Sequence, residues 1–424
     1  MLWRLIKVDC GLLTASRCVS TAASLTGALD GFKVLDLTRI LAGPFCTMIL
    51  GDLGADVVKV ERPDSGDDSR QWGPPFAGDS GESCYFLSVN RNKRSVCVDL
   101  KTAQGREIVA ELAADSDILV ENHLPGRLDR LGLGYDELSA KNKGLIYCSI
   151  TGFGQTGPYA SRPGYDIIAA SLGGLMHITG PKGGDPVKTG VALTDLTTGL
   201  YAHGAIMAAL LQRQRNGGVG QHIDVDLLSS QVSCLANLGA NYLMEGREAS
   251  RWGTAHESIV PYQSFATADG YLTLGGANDR QFGEMCQRIG RPDLAQDPHL
   301  QSNAQRVQHR HRLIAEMSRT LLSKTTDEWL RALDGAGFPY APINPLRRVF
   351  EDPQVLHHGL VDTVSHPTAG PLAMVGPAVR FSGSDNRIRL PPPLLGQHTD
   401  QVLRQRLAYS DQRIQSLRED RVIA

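Results

Sequence analysis

Val34-Leu35-Asp36-Leu37-Thr38-Arg39-Ile40-Leu41-Ala42-Gly43-Pro44, continued by Gly51-Asp52-Leu53-Gly54-Ala55-Asp56-Val57-Val58-Lys59-Val60-Glu61, holds the fold in outline. Val34 to Leu37 is a short apolar run of the kind buried on both faces of a parallel sheet. Pro44 suits position N1 of a helix over Phe45 to Leu53, because its missing N–H would have no intrahelical acceptor there. Asp56 to Glu61 then reads as a second strand, and a helical crossover lets it run parallel to the first. The alternation repeats downstream, with strands at 95–100, 118–121 and 145–150 and a helix at 105–114. This predicts a doubly wound, Rossmann-like α/β domain.

Glu61 ends the second strand where a dinucleotide fold places its ribose-binding acid. The first turn, however, lacks G-x-G-x-x-G, so a nicotinamide site is not expected. Gly180-Pro181-Lys182-Gly183-Gly184 is followed by no Lys-Ser/Thr pair and reads as a plain turn, not a phosphate loop.

Beyond a strand at 219–226 and a helical stretch at 227–243, the polar segment Arg247 to His256 looks like a connector. Gln263 to Thr267, Asp269-Gly270 and Tyr271 to Leu274 make a hairpin. Helical segments near 281–289, 303–322 and 326–336 complete a smaller α+β domain at 262–345, which Phe338 to Pro345 leaves as a Pro-rich linker. The predicted organisation is a leader at 1–26, the first part of a large domain at 27–226 and a connector at 227–261. The small domain at 262–345 and a tail at 346–424 complete it. Gly370-Pro371, Gly376-Pro377 and Pro391-Pro392-Pro393 make that tail turn-rich and extended, and it is expected to return to the large domain.

With 42% hydrophobic and 21% charged residues, the 424-residue chain has the proportions of an ordinary soluble globular protein. A net charge of −2 gives no electrostatic case for nucleic acid or an acidic membrane. No run approaches the ~18–20 apolar residues of a membrane span. The cysteines show no C-x-x-C and no Cys/His spacing suited to zinc, so free thiols and no metal are expected. Met1 to Thr26 carries Arg4, Lys7 and Arg17 against Asp9, with serines and threonines interspersed, and Leu2, Trp3, Leu5 and Ile6 can share a helical face. That is the composition of a mitochondrial transit peptide, the alternative being a disordered N-terminus.

Asp195 stands out chemically. A strand-like run, Val187 to Leu193, meets a helix-like run, Leu196 to Arg215, at Thr194-Asp195. A carboxylate there has free N–H groups and the positive end of a helix dipole beside it. It is expected to be ionised at neutral pH, as a nucleophile must be. The same pattern also describes a simple N-cap.

Several segments together resemble the family III CoA-transferases, the formyl-CoA transferase and carnitine CoA-transferase group. They are the two opening stretches, Asn90-Arg91-Asn92-Lys93-Arg94-Ser95, Val120-Glu121-Asn122, Gly164-Tyr165-Asp166 and Leu395-Gly396-Gln397-His398-Thr399-Asp400, in the family's order. The resemblance runs from Leu29 onward. It implies a large CoA-binding catalytic domain and an interlocked homodimer. It also implies no permanently bound cofactor, with a coenzyme A thioester as substrate. Residues 186–208 and 251–263 are most similar to the mitochondrial branch that moves CoA from succinyl-CoA to glutarate or 3-hydroxy-3-methylglutarate.

By this resemblance Asp195 matches the catalytic aspartate, and an aspartyl anhydride followed by an aspartyl-CoA thioester is the implied route. Arg62, Val98, Lys101, Asn122, Arg130 and Tyr165 match CoA-contacting positions, and Trp72 matches an aromatic of the acyl pocket. Related α-methylacyl-CoA racemases place a His where this chain has Tyr165. A phenol with a pKa near ~10 is a poor base at neutral pH, which favours transfer over racemisation. Leu41 stands where formyl-CoA transferase carries a Gln, which argues against formyl-CoA. A non-catalytic acyl-CoA-binding homologue is the third reading. A dicarboxylate acceptor needs a cation for its far end, and His177, Lys188, Arg251 and His256 are the candidates. The Gly275-Gly276 segment is a candidate cover that would keep water from the anhydride.

Overall fold

The structure is a computed structural model that describes residues 26–424. The predicted transit segment therefore lies outside the described residues, apart from Thr26.

Six strands form one sheet in the order β3-β2-β1-β4-β5-β6. They are β1 (Lys33–Leu37), β2 (Asp56–Glu61), β3 (Lys93–Cys97), β4 (Ile118–Glu121), β5 (Ile146–Thr151) and β6 (His222–Asp226). Every pairing is parallel, with Val34 opposite Val57 on one side and Ile118 on the other. Val34, Leu35, Ile118 and Leu119 are fully buried, each worth roughly 1.5–3 kcal/mol of apolar transfer. The strand order reverses between β1 and β4, so their C-terminal ends open a crevice there, the usual ligand position in such sheets.

Apolar clusters cover both faces. On one, the helices Ala42–Asp52 and Leu193–Arg215 contribute Cys46, Leu50, Ala202 and Ile206. On the other, the helix Ala103–Ala114 packs with Val402, Leu403, Ile414 and Leu417 from the end of the chain. The tail thus returns to the large sheet, but it is less extended than its prolines suggest. It contains a hairpin, β10 (Val361–His366) with β11 (Gly370–Val375), and the helices Thr399–Leu407 and Asp411–Glu419. Two motifs about three hundred residues apart in sequence meet here: Ser95 N–H donates to His398 Nδ1 at 3.2 Å, and Gly396 N–H to Ser95 Oγ at 2.9 Å.

A second core is built within residues 260–340 around Trp329, Leu272, Met285 and Leu313. Its sheet holds β7 (Tyr262–Ala266), β8 (Tyr271–Gly275) and β9 (Tyr340–Pro342), antiparallel throughout. The Pro-rich stretch expected as a linker supplies β9. An edge strand tolerates prolines because its outer N–H groups need no partner.

Three further local expectations are corrected. The strand-like run at 187–193 is not a strand: Val187 and Val191 are exposed and no neighbouring strand pairs with the segment. A β-pattern without a partner leaves its backbone to solvent. The helix at 227–243 is broken into Leu227–Ser233 and Ala236–Glu245, with Ala236 at φ 47°. Pro44 is the third residue of its helix, still within the first turn, where no N–H acceptor exists. Gly43 is required beside it, since a Cβ there would lie 2.4 Å from the Thr38 side chain.

Candidate active site

The helix expected from Leu196 begins at Leu193, so Asp195 is its third residue and not its N-cap. The cap comes from elsewhere in sequence. Asp166, first residue of the helix Asp166–Leu172, accepts the N–H groups of Thr194 at 2.9 Å and Asp195 at 3.2 Å. Asp195 is left to line a cavity of about 240 Å³ at the crevice between β1 and β4. Burial, and then the neighbouring Asp166 charge, push its pKa up to about 7. The expectation of full ionisation at neutral pH is therefore corrected: the helix dipole is outweighed by desolvation and a like charge.

Arg39 and Ile40, from the turn that follows β1, line the same cavity together with Leu41 and Ala42. Ile40 has φ 74°, a left-handed conformation that costs a β-branched residue about 1–3 kcal/mol. The helix Ala42–Asp52 has no side-chain cap, so its first N–H groups stay available near Asp195. The two helices touch closely, because a Cβ on Gly199 would come within 2.7 Å of the Ala42 carbonyl oxygen.

A second cavity of about 560 Å³ adjoins the first. Arg39, His123, Leu124 and Arg127 line both, forming a neck between them. Arg39 Nε and His123 Nδ1 are buried in that neck with no hydrogen-bond partner. Burial, then Arg127 and Arg39, bring the His123 pKa down to about 4, so the ring is neutral. Buried polar atoms without partners are uncommon in native proteins and point to a group that completes them.

The structure sorts the sequence-derived residues by place. Arg62, Val98, Lys101 and Arg130 line the larger cavity; Asn122, Tyr165 and Asp195 line the smaller. Arg62 also pairs with Asp68 at 2.7 Å. The Asn122 side chain is engaged with backbone, accepting Arg39 N–H at 2.9 Å and donating to its carbonyl at 2.7 Å. Trp72 does not line the Asp195 cavity, but its ring stands edge-on to Tyr85 at 5.0 Å, and Tyr85 packs against the cluster of Leu41, Met48 and Val89.

His177, Lys188, Arg251, His256 and the Gly275-Gly276 segment are not among the residues lining that cavity. Arg251 donates to the carbonyls of Gly184 at 2.9 Å and His177 at 2.8 Å. The His177 ring lies 3.2 Å from the Ala249 carbonyl. Lys188 Nζ donates to Thr189 O at 3.2 Å, and His256 Nδ1 accepts Ser258 N–H at 2.9 Å. The cations the cavity does present, Arg39, Arg127 and Arg162, were missed. Arg39 lies inside the opening stretch, and a cation in a strand-to-helix turn at a switch point is a signal that reading could have used. Among the described residues no cluster suited to a metal ion occurs.

A family model for CoA-transferase family III matches residues 29–399, and the chain belongs to that family. It is 54% identical over 389 residues to the succinyl-CoA:glutarate CoA-transferase of Homo sapiens, covering 92% of this chain and 88% of that one. A succinate–glutarate CoA-transferase of Agrobacterium fabrum is 42% identical over 379 residues, covering 88% of this chain and 94% of the relative. Among solved structures, a CAIB/BAIF family protein from Brucella suis matches with a TM-score of 0.82 at 42% identity, covering 90% of this chain and all of that one (100%). The motif-based resemblance is thus correct at the level of the family and of its α/β fold.

Proposed function

We propose that this protein moves CoA from succinyl-CoA to a dicarboxylic acid, glutarate first among them, with Asp195 as nucleophile. An Asp195 oxygen attacks the thioester carbonyl carbon and the C–S bond breaks, giving a succinyl-aspartyl anhydride and CoA thiolate. The thiolate attacks the aspartyl carbonyl, releasing succinate and leaving an aspartyl-CoA thioester. The acceptor carboxylate attacks that thioester and frees the thiolate again. Attack of the thiolate on the acceptor's acyl carbon then yields the new acyl-CoA and free Asp195. All four steps pass through activated acyl groups and conserve the thioester energy, so no further co-substrate enters.

The observation that carries this reading is a lone, partner-free carboxylate in a small cavity joined by a cationic neck to a larger one. Arg62, Lys101 and Arg130 suit the nucleotide phosphates, Val98 the adenine, and the neck the arm that links nucleotide to thioester. The names of the relatives supply the donor and acceptor. Tyr165 in place of a basic His speaks against racemisation.

An exchange assay with succinyl-CoA and a panel of dicarboxylic acids, wild type beside Asp195→Ala, tests the reading. New acyl-CoA is expected with the wild type alone, and hydroxylamine should trap the wild-type acyl-enzyme. Exchange indifferent to Asp195 would overturn it. For the acceptor's far carboxylate, His177, Lys188, Arg251 and His256 are each replaced by Ala; a glutarate KM unchanged in all four removes them from consideration and leaves the cavity arginines. The helix Ala236–Glu245 has no buried residue and exposes Tyr242, Leu243 and Met244. An apolar surface of this kind asks for a cover, and a second copy of the chain, in a homodimer, is the cover we propose. Met1 to Thr26 is read as a leader to the mitochondrial matrix, which an import assay with and without that segment checks.

A further inference from the structure

The turn Thr38-Arg39-Ile40 is held by side chains drawn from distant points of the chain. Asp67 accepts Ile40 N–H with both carboxylate oxygens, at 3.1 and 3.2 Å. Lys59 Nζ donates to the Thr38 carbonyl at 2.7 Å and pairs with Asp67 at 3.0 Å. Asn122 clasps Arg39 from the β4 side, and Asp36 accepts Thr38 N–H at 2.8 Å. The side chains of Lys59 and Asp67 are completely buried, at 0% exposure each. A buried ion pair is by itself weak support for stability, because desolvation of both charges offsets their attraction. This pair does something two apolar side chains could not: both of its ends grip the backbone of one turn.

That turn contains the left-handed Ile40. Such a conformation persists in a β-branched residue only where the surroundings over-determine it. Leu41 and Ala42, the next two residues of the chain, line the same cavity as Asp195. No side-chain cap orients the helix that starts there, so the turn, together with Lys93 Nζ donating to the Pro44 carbonyl at 2.9 Å, sets where its first N–H groups sit. The close approach of Gly199 to Ala42 passes the same constraint to the helix that carries Asp195.

We infer that Asp67 and Lys59 are positioning residues of the transfer reaction: they hold Ile40 left-handed and so fix the start of the helix Ala42–Asp52 at the cavity that Asp195 lines. The inference rests on the transferase reading above and adds residues that touch no substrate.

A double-mutant cycle between Asp67→Asn and Ile40→Gly tests it in the full chain, with exchange kinetics and thermal unfolding measured side by side. Glycine adopts positive φ without strain, so it removes the need for a clamp. Asp67→Asn should lower kcat by roughly 30-fold with the succinyl-CoA KM within about threefold, the scale of a misplacement near 1 Å. In the Ile40→Gly background the same substitution should lower kcat by no more than about threefold, an interaction of the kind contacting residues show. An equal kcat loss in both backgrounds, or a KM rise with kcat retained, overturns the inference.

The unfolding data judge the clamp without reference to activity: Asp67→Asn should lower Tm more in the Ile40 background than in Ile40→Gly. Equal losses count against it. The wild-type exchange run in the same series reports separately on the transferase reading. Where Asp67→Asn does not fold, Lys59→Met/Asp67→Asn replaces it, since it orphans no buried charge. Recovery of folding by Ile40→Gly supports the clamp; failure in both backgrounds overturns it, because the pair would then hold the core and not the turn.

Discussion

Two sets of carboxylates in the large domain are treated in opposite ways. Asp36, inside β1, and Asp67, in the loop after β2, are fully buried and matched with Lys93 and Lys59 at 3.0 Å each. Burial pushes the Asp36 pKa up, but Lys93, Lys59 and two threonine hydroxyls outweigh it and bring it down to about 2. Burial acts on Asp67 in the same way, and Lys59 with the N–H and hydroxyl of Ser69 holds it well below the usual carboxylate range. Asp195 is given no lysine; burial and Asp166 raise it instead. The matched carboxylates are permanently charged and serve as anchors for backbone. The unmatched one can change its charge near neutral pH, which suits the role of nucleophile proposed for it.

The largest expected effect breaks the unmatched side. Asp195→Ala should reduce exchange by at least about 10³-fold, since the proposed covalent route would be left without its nucleophile. Asp195→Asn should be as inactive yet more stable than the wild type at pH 8. The sign follows from linkage: a carboxyl whose folded pKa is raised contributes stability below its unfolded pKa and loses it as pH climbs through about 7. The Tm advantage of Asp195→Asn should therefore be near zero at pH 4, grow toward pH 7 and level off above it. Thermal unfolding across that range checks it.

Smaller effects sharpen the contrast. In the wild type, kcat/KM should rise about tenfold per pH unit below 7 and flatten above, as Asp195 sheds its proton. Asp166→Asn keeps an oxygen to accept the Thr194 N–H but removes the like charge, so the rising limb should move to lower pH. A limb that does not move would mean desolvation alone sets the pKa. In the larger cavity, Arg62→Ala, Lys101→Ala and Arg130→Ala should each raise the succinyl-CoA KM by roughly 3- to 10-fold with kcat retained if they hold the nucleotide as proposed, the scale of one exposed charge-assisted contact. Added salt should raise the wild-type KM in the same direction.

Much of this was legible in the chain itself. Apolar runs at β1, β2 and β4, separated by helix-length segments, are local signals, and they gave the doubly wound sheet with strand ends displaced by only a few residues. The place of Asp195 near a helix start was legible for the same reason. What misled was also local: Val187 and Val191 carry β-branching, but a strand exists only if another strand offers its edge. The Pro-rich stretch at 338–345 erred the other way, since its role as β9 depends on Leu272 to Leu274 lying beside it.

Sequence alone therefore determined the layering of the fold, because that is carried by residues within a few positions of one another, and it marked Asp195 as candidate nucleophile through the family resemblance of motifs spread along the chain. The charge state of Asp195, the strain at Ile40 and the neck of Arg39, His123 and Arg127 were decided only in three dimensions. Asp166 lies 29 residues from Asp195, Asp67 lies 27 from Ile40, and Asn122 lies 83 from Arg39. A pKa, a forced dihedral and a cavity wall are sums over neighbours in space, and only the folded chain says which neighbours those are.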